Sequence, residues 1–86
     1  MSGFEVLVAS DIRRDDIFVE ISYDGEVLAE LSGSEPGDSI KIALYARPGG
    51  KDWAFDICEL QATLERAKQR MLVLQQPLEA EATADD

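Results

Sequence analysis

The sequence predicts an α+β fold, in which an antiparallel four-stranded β-meander is covered on one face by a single C-terminal helix. Four segments alternate apolar and polar residues, which is the two-residue period of a half-buried strand. The C-terminal part instead repeats apolar residues every three or four positions, as an amphipathic helix does. A sheet and a helix that each bury one apolar face form a two-layer sandwich.

The strand segments are residues 4–9, 17–23, 26–31 and 40–46. Residues 10–16 and 32–38 are polar and rich in turn-forming residues, so they predict loops. Pro48, Gly49 and Gly50 predict another turn after the fourth strand. Beyond this turn, residues 53–55 alternate again, and they fit either a short fifth strand or an extended lead-in to the helix.

The Asp24-Gly25 pair predicts a β-hairpin between the second and third strands. A two-residue loop would bring Glu30 opposite Val19 and mix carboxylates into the apolar face. A three-residue loop, residues 23–25, keeps that face apolar, because a shift of one residue turns every side chain to the other face. We therefore expect the longer loop, with these pairs: Ile21 with Val27, Val19 with Ala29, and Ile17 with Leu31.

The helix should cover the apolar face of this sheet. The residues expected beneath it are Val6, Val8, Val19, Ile21, Ala29, Leu31, Ile42 and Leu44. The residues expected to face the sheet from the helix are Ile57, Leu60, Leu64, Ala67, Met71, Leu74 and Leu78.

The beginning and end of the helix carry their own signals. Asp56 is a favourable N-cap, and Glu59 three residues later completes a capping-box pattern. Phe55 and Leu60 are spaced as a hydrophobic staple around the cap. Pro77 is expected to end the helix.

With 86 residues, the chain is long enough for one core. We expect one domain over residues 1–78 and a disordered acidic tail over residues 79–86. The single cysteine rules out an intramolecular disulfide, which favours a reducing compartment. No apolar run approaches the roughly 20 residues of a membrane span, and the N-terminus lacks signal-peptide features. We expect a soluble cytoplasmic protein.

The net charge of −10 is unevenly distributed along the chain. Residues 1–40 carry ten acids and two bases, which gives −8, whereas residues 41–78 carry six bases and four acids, which gives +2. The last eight residues add four acids. A negative field repels phosphate backbones and anionic membranes and attracts basic partners. We therefore expect no direct nucleic-acid or membrane binding.

The sequence offers little chemistry for catalysis. Asp11, Asp15 and Asp16 share one loop, but the spacing of a calcium loop is absent, and the chain has no histidine to join a zinc site. Cys58 has no histidine to activate it, and we expect it to be a packing residue. Residues 47–51 are too short for a phosphate-binding loop and predict a turn. We expect no enzyme activity, no cofactor and no metal.

The sheet face away from the helix is the best candidate for a binding surface. Apolar side chains surrounded by carboxylates are suited to docking a basic protein, since the acids speed the encounter and the apolar groups hold the complex. The predicted partner-binding residues are Glu5, Leu7, Phe18, Glu20, Glu26, Leu28, Glu30 and Tyr45. Near its end, the helix has more apolar residues than packing on the sheet requires. These residues predict an alternative dimer surface, made of Met71, Leu72, Val73 and Leu78.

A small acidic sheet-and-helix domain without a catalytic set is similar to many bacterial immunity and inhibitor proteins. The function we expect is non-catalytic binding of another protein, a basic one, in the cytoplasm, as an inhibitor or immunity protein would do. The alternative is a homodimeric assembly module that uses its C-terminal helix.

Overall fold

The computed structural model describes residues 3–10 and 17–76, and it has the predicted α+β architecture. The strands β1 (Phe4–Ser10), β2 (Ile17–Tyr23), β3 (Glu26–Ser32) and β4 (Lys41–Leu44) form one antiparallel sheet in the order of the sequence. A 3₁₀ turn follows at Pro48–Gly50, and then the helix α1 (Ile57–Leu74).

Residues 51–56, all of them described, join no strand, so the extended lead-in is the correct alternative for this segment. The predicted turn at residues 47–51 is confirmed by the 3₁₀ turn. The proposed tail, residues 79–86, lies outside the described residues, as does Pro77. No helix in the described part of the chain is long and apolar enough to cross a membrane.

The hairpin between β2 and β3 has a two-residue turn, so the predicted three-residue loop is wrong. Tyr23 pairs with Glu26, and both turn residues have positive φ, 51° at Asp24 and 82° at Gly25. Aspartate and glycine tolerate this conformation, and such turns match the right-handed twist of the strands. The backbone N–H of Asp24 also donates a hydrogen bond to the carbonyl of Gly3, at 3.0 Å.

A β-bulge two residues beyond the turn restores the apolar face. Ser22 pairs with Val27, but the next residue of β2, Ile21, pairs with Ala29, so that Leu28 is the extra residue of β3. In a β-bulge, two residues of one strand oppose a single residue of the neighbouring strand. The bulged strand bends there, and its side chains change direction. Leu28 is consequently only 5 % exposed and belongs to the core.

The bulge changes the predicted pairs but keeps part of the predicted sorting of faces. Val19 pairs with Leu31 and lies beneath the helix, while Glu20 pairs with Glu30. Val27 is the exception, because it is exposed and not in the core. Neither uniform register predicts this arrangement, because the chain changes register within the hairpin, between Ile21 and Ser22.

The helix α1 packs on β1, β2 and β3. Its most deeply buried residues are Thr63, Ala67 and Met71, which are spaced by four and therefore lie on one side of the helix. The buried apolar core beneath and around it consists of Phe4, Val19, Ile21, Leu28, Ala29, Leu31, Ala67 and Met71. Val6, Leu60 and Leu74 pack against this core and are partly buried.

Thr63 is a core residue that the apolar pattern did not predict. Its hydroxyl donates a hydrogen bond to the carbonyl of Glu59 at 2.8 Å, one turn earlier in the helix. Because this bond satisfies the hydroxyl within the helix itself, the threonine can be buried without an unpaired polar group.

The N-cap of α1 is the residue that the sequence predicts. The carboxylate of Asp56 accepts a hydrogen bond from the backbone N–H of Glu59 at 3.0 Å, and Asp56 itself has extended backbone angles. The predicted apolar stripe is wrong at Ile57 and Leu64, which are exposed. Cys58 is also exposed, so it is not the packing residue that the sequence suggested.

The fourth strand is not covered by the helix, contrary to the sequence prediction. Ile42 and Leu44 are paired with the core residues Leu31 and Ala29, yet they are 45 % and 72 % exposed. The reason is width: a helix is about 10 Å across, whereas four strands span about 14 Å between the axes of the outer two. Val8 on β1, at the opposite edge, is exposed as well.

The bulge predicts effects of very different size for two neighbouring substitutions in β3. Leu28→Ala should lower the free energy of unfolding by about 2–4 kcal/mol, because it removes a buried side chain and leaves a cavity. Val27→Ala should change it by about 0.5 kcal/mol or less, because Val27 is exposed. Chemical denaturation of both variants checks this. Equal losses, or a larger loss at Val27, would contradict the observed register.

Candidate functional site

The outer face of the sheet, on the side away from α1, brings together carboxylates from three strands. Residues that pair directly across an antiparallel sheet point to the same face. Leu7 pairs with Glu20, Glu20 with Glu30, and Glu30 with Ala43, so these four side chains form one row across the whole sheet. Glu5 lies two residues from Leu7 and points the same way. We call Glu5, Leu7, Glu20 and Glu30 the acidic face.

The acidic face has two carboxylates directly opposite each other at its centre. Directly opposite side chains have Cβ atoms about 5 Å apart, and like charges at this distance repel each other. Glu20 and Glu30 occupy such positions and are both half-buried, which reduces the screening of their charges by water. Lys41 lies on the same face, opposite Ser32 and diagonal to Glu30, which is within reach of a long side chain. The carboxylate of Glu20, farther from this lysine, therefore favours the approach of a cation.

Four of the eight predicted partner-binding residues form this face, and Leu28, Phe18 and Glu26 do not add to it as predicted. Leu28 is in the core beneath the helix. Phe18 lies on the outer side of β2 but is only 7 % exposed, so it offers little area to a partner. Tyr45 is exposed and directly follows β4, two residues from Ala43 of the row, and it stays a predicted member of the face. Glu26 pairs with Tyr23, which contacts core aromatic rings, so Glu26 points to the helix side.

Glu26 instead belongs to a cluster that the sequence pattern did not predict. Its carboxylate accepts a hydrogen bond from Nε of Arg47 at 3.0 Å. The guanidinium of Arg47 also lies 5.2 Å from the centre of the Trp53 ring and donates a hydrogen bond to the carbonyl of Asp52 at 3.3 Å. Nε1 of Trp53 donates to the carbonyl of Tyr45 at 2.8 Å. Together these contacts hold the segment between β4 and α1 against β3.

Aromatic rings continue this cluster towards β1. Phe55 lies between Trp53, at 5.5 Å, and Tyr23, at 4.8 Å between ring centroids, and it also contacts Phe4 at 5.0 Å. Aromatic pairs at such distances stabilise a fold beyond their buried area. The only sequence signal for this cluster was the alternation of Trp53 and Phe55.

An apolar groove lies between β4 and the first half of α1, where the helix fails to cover the sheet. Its volume is about 370 Å³. The residues that line it are Leu28, Ala29, Ile42, Leu44, Trp53, Phe55, Leu60 and Leu64. All eight are aliphatic or aromatic, so the groove is suited to apolar side chains rather than to a charged ligand.

The predicted dimer surface at the end of the helix is only partly available. Met71 is fully buried in the core, at 0 % exposure, so the prediction that it contributes to a dimer is wrong. Met71 lies on the side of the helix that packs against the sheet. Leu72 and Val73 are exposed, and Leu78 lies outside the described residues. Val73 lies beside Val6 in a second depression, which the charged residues Glu65, Arg66 and Arg70 also line.

Within residues 3–10 and 17–76 there is no group of three or more potential metal ligands. The loop residues Asp11, Asp15 and Asp16, which the sequence analysis considered as metal ligands, lie outside this part of the chain. Comparisons with protein families, with curated proteins and with solved structures find no match for this chain.

The cluster around Arg47 makes a spectroscopic prediction, since the protein has a single tryptophan. Arg47→Ala should shift the fluorescence of Trp53 to longer wavelength, because the guanidinium no longer covers the ring. The free energy of unfolding should fall by at most about 1 kcal/mol, since the pair with Glu26 is partly exposed. Lys51→Ala is the control, and it should leave the emission unchanged. An unchanged spectrum in Arg47→Ala would contradict the contact.

Proposed function

We propose that this protein is a non-catalytic binding protein whose acidic face docks a basic protein partner. Inhibition of a basic toxin or nuclease, by covering its positive site, is the concrete form of this function. The observation that supports the proposal is the row of Leu7, Glu20 and Glu30 across three strands on the sheet face away from the helix. No helix or strand of the described residues packs on that face.

The electrostatic part of the proposal rests on both the local and the total charge. The chain has a net charge of −10, and residues 1–40, which contain β1, β2 and β3, contribute −8 of it. A field of one sign raises the rate of encounter with an oppositely charged partner, and the effect falls with ionic strength. Glu20 forms no ion pair with another described residue, so its charge is available to such a partner.

The apolar part of the proposal is smaller than the sequence suggested. Leu7 is 50 % exposed and Val27 is exposed on the same side, but Phe18 and Leu28 are buried. Because buried apolar contacts slow dissociation whereas peripheral charges mainly speed association, an interface of this kind should associate fast and be sensitive to salt. The proposal also assigns the protein to the cytoplasm, where an exposed thiol such as that of Cys58 stays reduced.

The test replaces three carboxylates of the acidic face, Glu5, Glu20 and Glu30, by glutamine. The probe is an immobilised synthetic peptide of alternating lysine and leucine, which offers both cations and apolar side chains. The association rate should fall about tenfold at low salt, and its dependence on ionic strength should become weaker. Stopped-flow or surface-based kinetics over a range of salt concentrations measure both.

The matched control removes the same number of charges elsewhere: Glu35, Glu59 and Glu65, all exposed, are replaced by glutamine. The control should lose much less of the association rate. Equal losses in the two triple variants would mean that only net charge matters, and the acidic face would not be a docking surface. Leu7→Ser should mainly raise the dissociation rate, and an unchanged dissociation rate would remove the apolar part of the proposal.

A further inference from the structure

We propose that β4 is a dimerisation edge, at which two copies of the chain pair their β4 strands antiparallel about a two-fold axis at Ala43. The pairing would join two four-stranded sheets into one and bring the two apolar grooves together. This surface differs from the acidic face and from the end of the helix, and it does not depend on the proposed function.

The backbone N–H and C=O groups of β4 are oriented for such pairing. Among residues 3–10 and 17–76, β4 is an edge strand, hydrogen-bonded on one side to β3. The backbone N–H of Tyr45 donates to the carbonyl of Leu28 at 2.9 Å, on the β3 side. Because N–H groups alternate between the two sides of a strand, Ala43 is also directed to β3, while Ile42 and Leu44 direct their N–H and C=O groups to the open edge. An open edge of this kind is a template for another strand.

One antiparallel register satisfies both the backbone and the side chains. With Ala43 opposite its own copy, Ile42 of each chain lies opposite Leu44 of the other, and these pairs exchange the hydrogen bonds of the open edge. The pair at the axis is then the non-hydrogen-bonded type, in which the Cα atoms are about 4.5 Å apart. Alanine fits at this close approach, and the interface is isologous, as a two-fold dimer requires.

The same register covers the groove. Ile42 and Leu44 are on the helix side of the sheet and are 45 % and 72 % exposed in one copy. In the dimer, Ile42 of one copy would lie beside Leu44 of the other. These pairs would lie between the two helices, next to the groove residues Leu60 and Leu64. The exposed apolar surface that the narrow helix leaves open is thereby removed from water, which favours association.

Charge decides which part of the molecule can face a second copy. Two chains of −10 each repel one another, so they can meet only where the local charge is low. β4 carries one lysine and no acid, whereas β1, β2 and β3 each carry at least one glutamate. Pairing through β4 places the β1 strands at the two far ends of the joined sheet. Of the two edge strands, β4 is therefore the one that a second copy approaches against less repulsion.

The first experiment measures the oligomeric state by analytical ultracentrifugation over a range of concentrations. The full chain should form a dimer, and salt should tighten it by screening repulsion, opposite to the effect expected for a basic partner on the acidic face. Leu44→Pro should weaken dimerisation about a hundredfold, since it removes an edge N–H and a groove side chain from both copies. Proline is tolerated on an edge strand when its nitrogen faces outwards.

Val73→Asp is the control, because Val73 is an exposed apolar residue like Leu44 but lies on the helix, away from β4. It should leave the dimer intact. Should Leu44→Pro fail to fold, as judged by circular dichroism, Leu44→Asp serves instead, because it keeps the backbone N–H. A monomer at all concentrations, or a dimer that Val73→Asp breaks and the Leu44 variants do not, would overturn the proposal.

A second experiment tests the axis directly. In a Cys58→Ser background, Ala43→Cys should form an intermolecular disulfide under mild oxidation, since Cα atoms about 4.5 Å apart suit this bond. Ala62→Cys, at an exposed position of the helix, is the control and should remain reduced. Cross-linking that is no faster at position 43 than at position 62 would place the axis elsewhere.

Discussion

The structure depends on the fit between one helix and a sheet that is wider than the helix. Thr63, Ala67 and Met71 seat α1 on the middle of the sheet, where Val19, Ile21 and Ala29 are fully buried. Because a helix covers only two to three strands, a helix placed over the middle of the sheet leaves both outer strands partly exposed. The apolar groove beside β4 and the exposed Val8 on β1 are consequences of one geometric limit. The candidate dimer edge exists for the same reason.

The bulge at Leu28 is the second constraint, and it connects the hairpin to both surfaces. By inserting one residue into β3, it turns Leu28 into the core and keeps Ala29 and Leu31 beneath the helix. The same insertion brings Glu30 opposite Glu20 on the outer face and sends Glu26 to the helix side, where Arg47 binds it. The acidic face thus owes its composition to a local irregularity rather than to uniform alternation.

The two proposed interfaces divide the molecule by charge. The outer face of β1, β2 and β3 carries the carboxylates that would attract a cationic partner, while the β4 edge is nearly neutral and apolar. Their opposite responses to salt distinguish them, because screening weakens attraction between unlike charges and also weakens repulsion between like chains. Since β4 lies at the edge and the acidic face points away from the helices, both surfaces can be occupied together.

The sequence by itself determined the elements, their order and the helix cap. Alternation, turn residues and the Asp56 signal are local, and local interactions decide them. It also identified Glu5, Leu7, Glu20 and Glu30 as residues of one face. Tertiary structure decided the register of β2 against β3, the burial of Thr63 and the exposure of Leu44. The burial of Thr63 and the exposure of Leu44 depend on where the helix packs on the sheet. The register depends on both the geometry of the turn and the burial of apolar side chains from two strands. Neither can be read from one segment of the sequence.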